Sequence, residues 1–207
     1  MHRLGSVESP VMESSVELQW PTAADERLRA DVHRVLHAVA ELGGAIGYAV
    51  PPNRTETDSW LDHVLMLVGA GDAALVLAVL DDRVVGTGLW RRGPKPIFAH
   101  YADVERVTAH PAARGRGIGR LVTAALVDDA RKAGIETLTL GVRGNNHGAI
   151  ELYEQLGFQE WGRLPNVIEV GAKRFDDVRM FLDLGRDPHV LLRGSSPGGP
   201  GSSPRRS

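Results

Sequence analysis

Residues 104–122 read Val-Glu-Arg-Val-Thr-Ala-His-Pro-Ala-Ala-Arg-Gly-Arg-Gly-Ile-Gly-Arg-Leu-Val, and this stretch decides the fold. Val104 to Ala109 are mostly β-branched or alternating, and Pro111 ends the run, which is typical of a strand. From Ile118 onward, apolar residues recur at helical spacing. Between the two, three glycines at alternate positions allow the backbone to turn tightly. The stretch therefore predicts a strand, a glycine-rich turn and the start of a helix.

The predicted turn has the features of an anion site. Its backbone N–H groups, the positive end of the helix dipole and three arginines within residues 114–120 face the same place. A P-loop is excluded because the chain contains no Gly-Lys pair. A dinucleotide fingerprint has the spacing Gly-x-Gly-x-x-Gly near the start of a βαβ unit, and neither condition holds here. Two interpretations stay open: an acyl-CoA loop, and an ordinary tight turn with surface arginines.

A second motif lies downstream, where residues 140–158 read Leu-Gly-Val-Arg-Gly-Asn-Asn-His-Gly-Ala-Ile-Glu-Leu-Tyr-Glu-Gln-Leu-Gly-Phe. The two stretches together resemble the motifs Arg/Gln-x-x-Gly-x-Gly/Ala and Asn-x-x-Ala-x-x-x-Tyr-x-x-x-Gly-Phe of the GNAT family of N-acetyltransferases. The matching residues are Arg114, Gly117 and Gly119 in the first motif, and Asn146, Ala149, Tyr153, Gly157 and Phe158 in the second. The resemblance is specific over residues 104–158 and looser over residues 17–185.

This resemblance implies an α/β fold with a mixed, mostly antiparallel, twisted sheet flanked by helices. It also implies an enzyme that passes an acetyl group directly from acetyl-CoA to an amine. The cofactor pyrophosphate would lie on the turn, and the pantetheine arm would pair with the preceding strand like an added strand. The cofactor-binding residues implied are Val107, Thr108, Ala109, Arg114, Gly115, Arg116, Gly117, Ile118, Gly119, Arg120 and Asn146. The amide of Thr108 or a neighbour would polarise the thioester carbonyl.

Two residues are predicted to move protons. Tyr153 matches the family's general acid, which protonates the leaving thiolate; the alternative is a core tyrosine on an apolar helix face. Some family members carry a glutamate at the position of Gly141, so one candidate base is missing here. Glu105 is the best remaining carboxylate and would act through water, unless it only forms a salt bridge with a cation of an adjacent strand. Asn146 could equally be the N-cap of the following helix.

The amino-acid composition excludes or disfavours several other classes of function. The chain has 207 residues, 43% of them hydrophobic, a net charge of −2 and no cysteine. Disulfides and thiolate metal sites are therefore excluded, and nucleic acid binding receives no support from the overall charge. The pair His33 and His37 lacks the pattern of a metalloprotease, so we expect no metal. We expect no membrane association and a cytoplasmic location, because no apolar run approaches transmembrane length.

The order of elements is predicted as β-α-α-β-β-β-α-β-α-β-β. Residues 1–15 are expected to be a loose leader, residues 16–187 the N-acetyltransferase domain, and residues 188–207 a disordered tail rich in Gly, Ser and Pro. Three details accompany this prediction. They are Thr22 as the N-cap of the first helix, Thr55 or Thr57 as the N-cap of the second, and a loop containing Pro165 between the last two strands.

We therefore predict an acetyl-CoA-dependent N-acetyltransferase acting on a primary amine, most simply that of a small molecule. Two alternatives stay open: a protein N-terminal acetyltransferase, and a catalytically silent acyl-CoA-binding regulatory module. The acceptor pocket is expected among residues 43–56, 92–100 and 162–174. A homodimer is common in the family and is expected here by analogy only.

Overall fold

The computed structural model describes residues 15–185, so the expectations for the leader and the tail lie almost entirely outside the described residues. Its order of elements confirms the predicted one. The strands are β1 (Glu17–Gln19), β2 (Ala73–Leu80), β3 (Arg83–Arg92), β4 (Tyr101–Ala109), β5 (Thr137–Arg143), β6 (Gln159–Val170) and β7 (Lys173–Asp183). The helices are α1 (Glu26–Glu41), α2 (Arg54–Ala70), α3 (Ile118–Lys132) and α4 (His147–Gln155), with 3₁₀ turns at Pro96–Phe98 and Pro111–Ala113.

The seven strands form one mixed sheet in the order β1-β2-β3-β4-β5-β7-β6. Helices cover both of its faces. Leu75 and Leu77 of β2 pack with apolar residues of α1 and α2, whereas Val76 and Ala78 pack with those of α3. A strand covered on both faces reads as a continuous apolar run, which explains the sequence of β2. The fold class implied by the resemblance is confirmed.

The junction of β4 and β5 is the feature of the sheet that positions the site. These strands are parallel, and their pairing covers only Tyr101–Asp103 opposite Thr137–Thr139. A bulge follows in β4, where Thr87 of β3 faces Thr108 but Leu89 faces Glu105. Arg106, inside the bulge, has a φ of 50°. A bulge bends its strand and ends regular pairing, so β4 and β5 open into a wedge beyond Asp103.

Both helix-cap predictions were wrong. The N-cap of α1 is Asp25, whose carboxylate accepts from the Leu28 N–H at 2.8 Å, and not Thr22. The N-cap of α2 is Asn53, which forms a capping box with Glu56. Thr57 lies inside α2 instead, where its hydroxyl donates to the Arg54 carbonyl at 2.9 Å. Asp and Asn are the better caps because their side-chain oxygens reach the exposed N–H groups.

The prediction of a loop around Pro165 is also wrong. Strand β6 runs through it to Val170 and forms a hairpin with β7. Pairing is irregular between Leu164 and Ile168, and β6 lies at the edge of the sheet. Proline is tolerated in an edge strand because its missing N–H faces away from the neighbouring strand.

Among the described residues, no helix combines the length and apolar content needed to cross a membrane.

A buried carboxylate joins α1 to the β2–β3 hairpin. Asp31 is only 4% exposed, and it accepts hydrogen bonds from Arg83 at 2.8 Å and from the Val84 N–H at 3.2 Å. Burial by itself would raise the pKa of Asp31, but these two bonds and the positive charges of Arg83 and Arg34 together outweigh it, so the pKa lies below its ordinary value. The ionised form of Asp31 therefore stabilises the folded state.

Asp31→Asn is expected to lower the free energy of unfolding at pH 7 by about 1–3 kcal/mol, because a buried hydrogen-bonded charge is lost. Since folding lowers the Asp31 pKa, its contribution is present above the unfolded value of about 4 and is lost as pH falls through the folded value. Urea titrations between pH 3 and 7 check this. The control Asp62→Asn removes an exposed ion pair with Arg29 and should change little. An Asp31→Asn deficit that stays constant down to pH 3 would contradict the assignment.

Candidate active site

The wedge between β4 and β5 forms a cleft of about 320 Å³. Its walls are the bulged part of β4, the end of β5, the start of α4 and the connection between α1 and α2. The lining residues are Ala45, Ile46, Gly47, Val104, Glu105, Arg106, Val107, Gly141, Val142, Arg143, Asn146, Ala149 and Tyr153. The cleft thus brings together four of the residues predicted from the sequence, namely Glu105, Val107, Asn146 and Tyr153.

Val107, Thr108 and Ala109 lie beyond the last residue of β4 that pairs with β5. On the β5 side, this edge of β4 has no partner strand within residues 15–185. The Thr108 side chain is buried, 4% exposed, and its hydroxyl is bonded to that of Thr87 at 2.9 Å. Its backbone is therefore what an extended ligand can reach, as an added strand would.

The glycine-rich turn leads directly into α3. Gly115 and Gly117 have φ values of 78° and 69°, which explains why glycine stands at both positions. Gly117 is the N-cap of α3 and has no side chain to bond the first N–H groups of the helix. A Cβ atom built at either glycine meets no atom within 4 Å. The turn is an open cradle of N–H donors at a helix N-terminus, as an anion site requires.

The other residues predicted for the turn differ in what they can contribute. Arg114 and Arg116 are exposed, so their guanidinium groups can reach a ligand on the cradle. Arg120 is held by α4, where its Nη1 donates to Gln155 at 3.0 Å. The side chain of Ile118 lies in the core, so only its backbone faces the turn.

Tyr153 projects from α4 towards the cleft. It is 9% exposed and packs edge-on against Phe158, with ring centroids 5.8 Å apart. Its hydroxyl has no hydrogen-bond partner among the described residues. Burial raises the pKa of Tyr153 to about 12, so the phenol is protonated at neutral pH and can donate a proton. Tyr153 is thus a core residue, which was the alternative interpretation, and it also lines the cleft.

Asn146 is the N-cap of α4, which was the structural alternative to a cofactor contact. Its side-chain oxygen accepts from the Ala149 N–H at 3.4 Å. Because Asn146 also lines the cleft, its amide group can contact a ligand there while the oxygen caps the helix.

Glu105 forms the adjacent-strand salt bridge that was the alternative to a catalytic role. Arg91 of β3 donates from Nη2 at 2.6 Å and from Nε at 3.0 Å, in both cases to Oε1. This bond, opposed by partial burial, raises the pKa of Arg91. Oε2 has no hydrogen bond within the described part of the chain, so a water molecule can bind there. The role of Glu105 as a base stays a prediction.

A half-buried arginine that the sequence analysis did not single out, Arg106, fixes one wall of the cleft. The Arg106 guanidinium lies between the rings of Tyr48 and Trp60, 4.5 and 4.7 Å from their centroids. These two cation–π contacts hold the α1–α2 connection, through Tyr48, and helix α2, through Trp60, against the bulge of β4. The Arg106 Nη1 and the Tyr48 hydroxyl are buried and lack partners among the described residues. These three residues are distant in sequence, and no local pattern indicates their contact.

A second hollow, called the acceptor-side groove below, lies beside the cleft. Its volume is about 560 Å³, and it is lined by the α1–α2 connection, the ends of β5 and β6, and Asp177 and Arg179 of β7. It shares Ala45, Gly47 and residues 141–143 with the cleft, so the two hollows meet between the α1–α2 connection and the end of β5. Of the three segments expected to form an acceptor pocket, 43–56 and 162–174 contribute to this groove, whereas 92–100 does not.

No group of three or more His, Asp or Glu side chains suited to a metal ion occurs within residues 15–185. The rings of His33 and His37 are in tilted contact, with centroids 5.4 Å apart. His33 Nδ1 is bonded to the Thr57 hydroxyl at 3.1 Å, and His37 Nδ1 to the Pro52 carbonyl at 2.9 Å. Both rings therefore serve to join α1 to α2 and the segment before it.

Solved structures share this fold. A ribosomal-protein-alanine N-acetyltransferase from Brucella melitensis superposes with a TM-score of 0.70 at 23% identity, covering 81% of this chain and 99% of that one. A phosphinothricin acetyltransferase from Sinorhizobium meliloti, solved in complex with AcCoA, gives 0.67 at 18% identity, covering 84% and 90%. At these identities the likeness establishes the fold alone.

Two relatives in sequence each match less than half of the chain. The L-methionine sulfoximine/L-methionine sulfone acetyltransferase of Salmonella typhimurium is 34% identical over 92 residues, 44% of this chain and 52% of the relative. The [ribosomal protein bS18]-alanine N-acetyltransferase of Escherichia coli is 41% identical over 83 residues, 40% of this chain and 56% of the relative. The chain thus spans about half the length of the curated relatives it matches.

The sequence model of the Acetyltransferase (GNAT) family matches residues 47–158. This match covers β2 to α4, including the bulge of β4, the glycine-rich turn and Tyr153. With more than half of the chain matched, and with both motifs inside the matched segment, the chain belongs to the GNAT family of acetyltransferases.

Proposed function

We propose that this protein is an acetyl-CoA-dependent N-acetyltransferase that modifies the primary amine of a small molecule. One observation supports the proposal above the others. The unpaired edge of β4 and Tyr153 line the cleft between β4 and β5, and the chain leads from that edge through a short 3₁₀ turn into the cradle before α3. This arrangement suits the binding of an extended thioester that has phosphate groups at one end and the reacting carbonyl at the other.

The acyl donor would be held mainly by backbone groups. The N–H groups of residues 115–120 would bind its pyrophosphate, with charge added by Arg114, Arg116 and Arg120. Its pantetheine arm would lie along Val107–Ala109, and Asn146 would bond the arm from the α4 side. The fit is supported by the open space at the two left-handed glycines, where phosphate oxygens need room.

The chemistry follows from what surrounds the thioester end. The acceptor nitrogen forms a bond to the carbonyl carbon, and a fixed N–H of Thr108 or a neighbour stabilises the developing oxyanion. The carbon–sulfur bond then breaks, and Tyr153 donates its proton to the leaving thiolate. Two protons must also leave the acceptor nitrogen. We propose that Glu105 accepts the first, from the ammonium group before attack, through a water bound at Oε2. The second leaves as the amide forms and restores the phenol of Tyr153.

The names of the relatives given above state two kinds of acceptor: free amino acid derivatives, and the alanine of a ribosomal protein. The acceptor-side groove has the volume of a small-molecule site, which favours the first kind.

A panel of L-methionine sulfone, tyramine and a peptide beginning with alanine, with the products identified by mass spectrometry, tests the proposal. Transfer to the peptide alone would identify a protein N-terminal acetyltransferase. Binding of acetyl-CoA without any transfer would identify a silent binding module. A homodimer and a cytoplasmic location stay predictions.

Gly117→Asp is expected to raise the Kd for acetyl-CoA by about 100-fold or more, because a carboxylate in the cradle repels the pyrophosphate and blocks its hydrogen bonds. Isothermal titration calorimetry measures this. Gly134→Asp is a matched control, since Gly134 lies beyond the other end of α3 with a φ of 74° and equally open surroundings. Both variants carry the same backbone strain, so they should melt at similar temperatures. Equal affinity of the two variants for acetyl-CoA would remove the basis of the assignment.

Tyr153→Phe removes one hydroxyl and keeps the packing against Phe158. If Tyr153 protonates the thiolate, kcat is expected to fall by about 10²–10⁴ while the Kd for acetyl-CoA stays near its normal value. Steady-state kinetics with the best amine of the panel check this. The control is Tyr101→Phe, because Tyr101 bonds Asp103 and Thr139 away from the cleft. Near-normal turnover by Tyr153→Phe would show that Tyr153 is only a core residue.

A further inference from the structure

The wall shared by the cleft and the acceptor-side groove contains a glycine, Gly141, and a side chain of the neighbouring strand β7 occupies the space beside it. In the antiparallel pair β5–β7, Gly141 lies opposite Arg179, and Arg143 lies opposite Asp177. Opposed residues and residues two apart share one face of a sheet. The side chains of Arg143, Asp177 and Arg179 therefore share the face to which Gly141 contributes none, and all four residues line the groove.

The missing side chain at position 141 leaves room for the carboxylate of Asp177. A Cβ atom built on Gly141 would lie 3.1 Å from Asp177 Oδ1 and 3.5 Å from Arg179 Cζ. Asp177 thus places an oxygen atom directly over the backbone of Gly141. Because Gly141 borders both hollows, this oxygen lies near the junction of the cleft and the groove, where donor and acceptor must meet.

The two oxygens of Asp177 have different surroundings. Oδ2 accepts from Arg179 Nε at 2.8 Å, which fixes the carboxylate. Oδ1 accepts no hydrogen bond among the described residues. With 18% of its side chain exposed, Asp177 is shielded enough for a strong charge interaction and open enough for a ligand to reach. Glu169, also in the groove, is far more exposed and is paired with Arg174.

We propose that Asp177 Oδ1 binds the ammonium group of the acceptor and positions its nitrogen beside the thioester. The acceptor class is thereby specified as a primary amine that arrives as a cation. The contact is a charge-assisted hydrogen bond, and Arg179 keeps the carboxylate oriented for it. A second N–H of the same ammonium group remains for the water at Glu105. This inference rests on the proposed function and adds to it the residue that recognises the acceptor.

The test compares Asp177→Asn with Asp176→Asn, using whichever amine of the panel the parent consumes fastest. Asp177→Asn is expected to raise the KM for the amine at least about tenfold, with a smaller fall in kcat, because a charge-assisted bond becomes a neutral one. The Kd for acetyl-CoA should not change. Asp176→Asn alters a carboxylate that instead bonds Arg163 and the Asn166 N–H, so its KM for the amine should stay near that of the parent.

A rescue experiment separates recognition from structural support. In the double variant Gly141→Glu/Asp177→Ala, a carboxylate reaches the same space from β5, and the KM for the amine is expected to return towards the parent value. The double variant Gly141→Gln/Asp177→Ala has the same shape without charge and should not recover. Glu105→Gln should lower kcat and leave this KM unchanged.

Two results would overturn the inference, and they are distinguishable. An unchanged KM in Asp177→Asn, or equal recovery by the Gln and Glu double variants, would overturn the role of Asp177 and leave the proposed function standing. A parent protein that binds acetyl-CoA and acetylates no amine of the panel would overturn both.

Discussion

The bulge at Arg106 is the constraint on which the site depends. A regular β4 would continue its pairing with β5, and the backbone groups of Val107–Ala109 would be bonded within the sheet. Instead, pairing stops after three residues of each strand, and β4 keeps an unpaired edge inside the domain. Unpaired edges are normally a hazard for a sheet. Here the edge lies next to a helix N-terminus, which makes it suitable for an extended ligand with a negatively charged end.

The bulge requires support, since Arg106 adopts a backbone conformation that residues with a side chain seldom occupy. Its guanidinium supplies part of that support by lying between Tyr48 and Trp60. The same contact fixes the α1–α2 connection, which lines both the cleft and the acceptor-side groove. One side chain thus couples the shape of β4 to the position of the acceptor wall.

Local features of the site could be predicted from the sequence because each depends on neighbouring residues. The glycines at positions 115 and 117 are explained by the left-handed turn, and Asn146 by the cap of α4. The order of elements followed from periodicity alone. The helix caps failed because several polar residues compete at each start, and periodicity does not choose between Thr22 and Asp25.

Features that depend on strand register could not be predicted in this way. The position of Asp177 over Gly141 follows only from the pairing of β5 with β7, which joins segments about 36 residues apart. The ion pair of Glu105 was foreseen as a possibility, but its partner Arg91 is known only from the register of β3 and β4. The Arg106 sandwich likewise joins three separate elements. Sequence patterns therefore indicated more of the proposed donor half of the site than of the proposed acceptor half.

The central claim is that the unpaired edge of β4 and the cradle before α3 hold the acyl donor. Amide hydrogen exchange followed by mass spectrometry, with and without acetyl-CoA, tests it most directly. The predicted result is slower exchange at residues 107–109 and 115–120 on addition of acetyl-CoA, with the already paired strand β2 unchanged. Saturation with acetyl-CoA that leaves exchange at both segments unaltered would contradict the account.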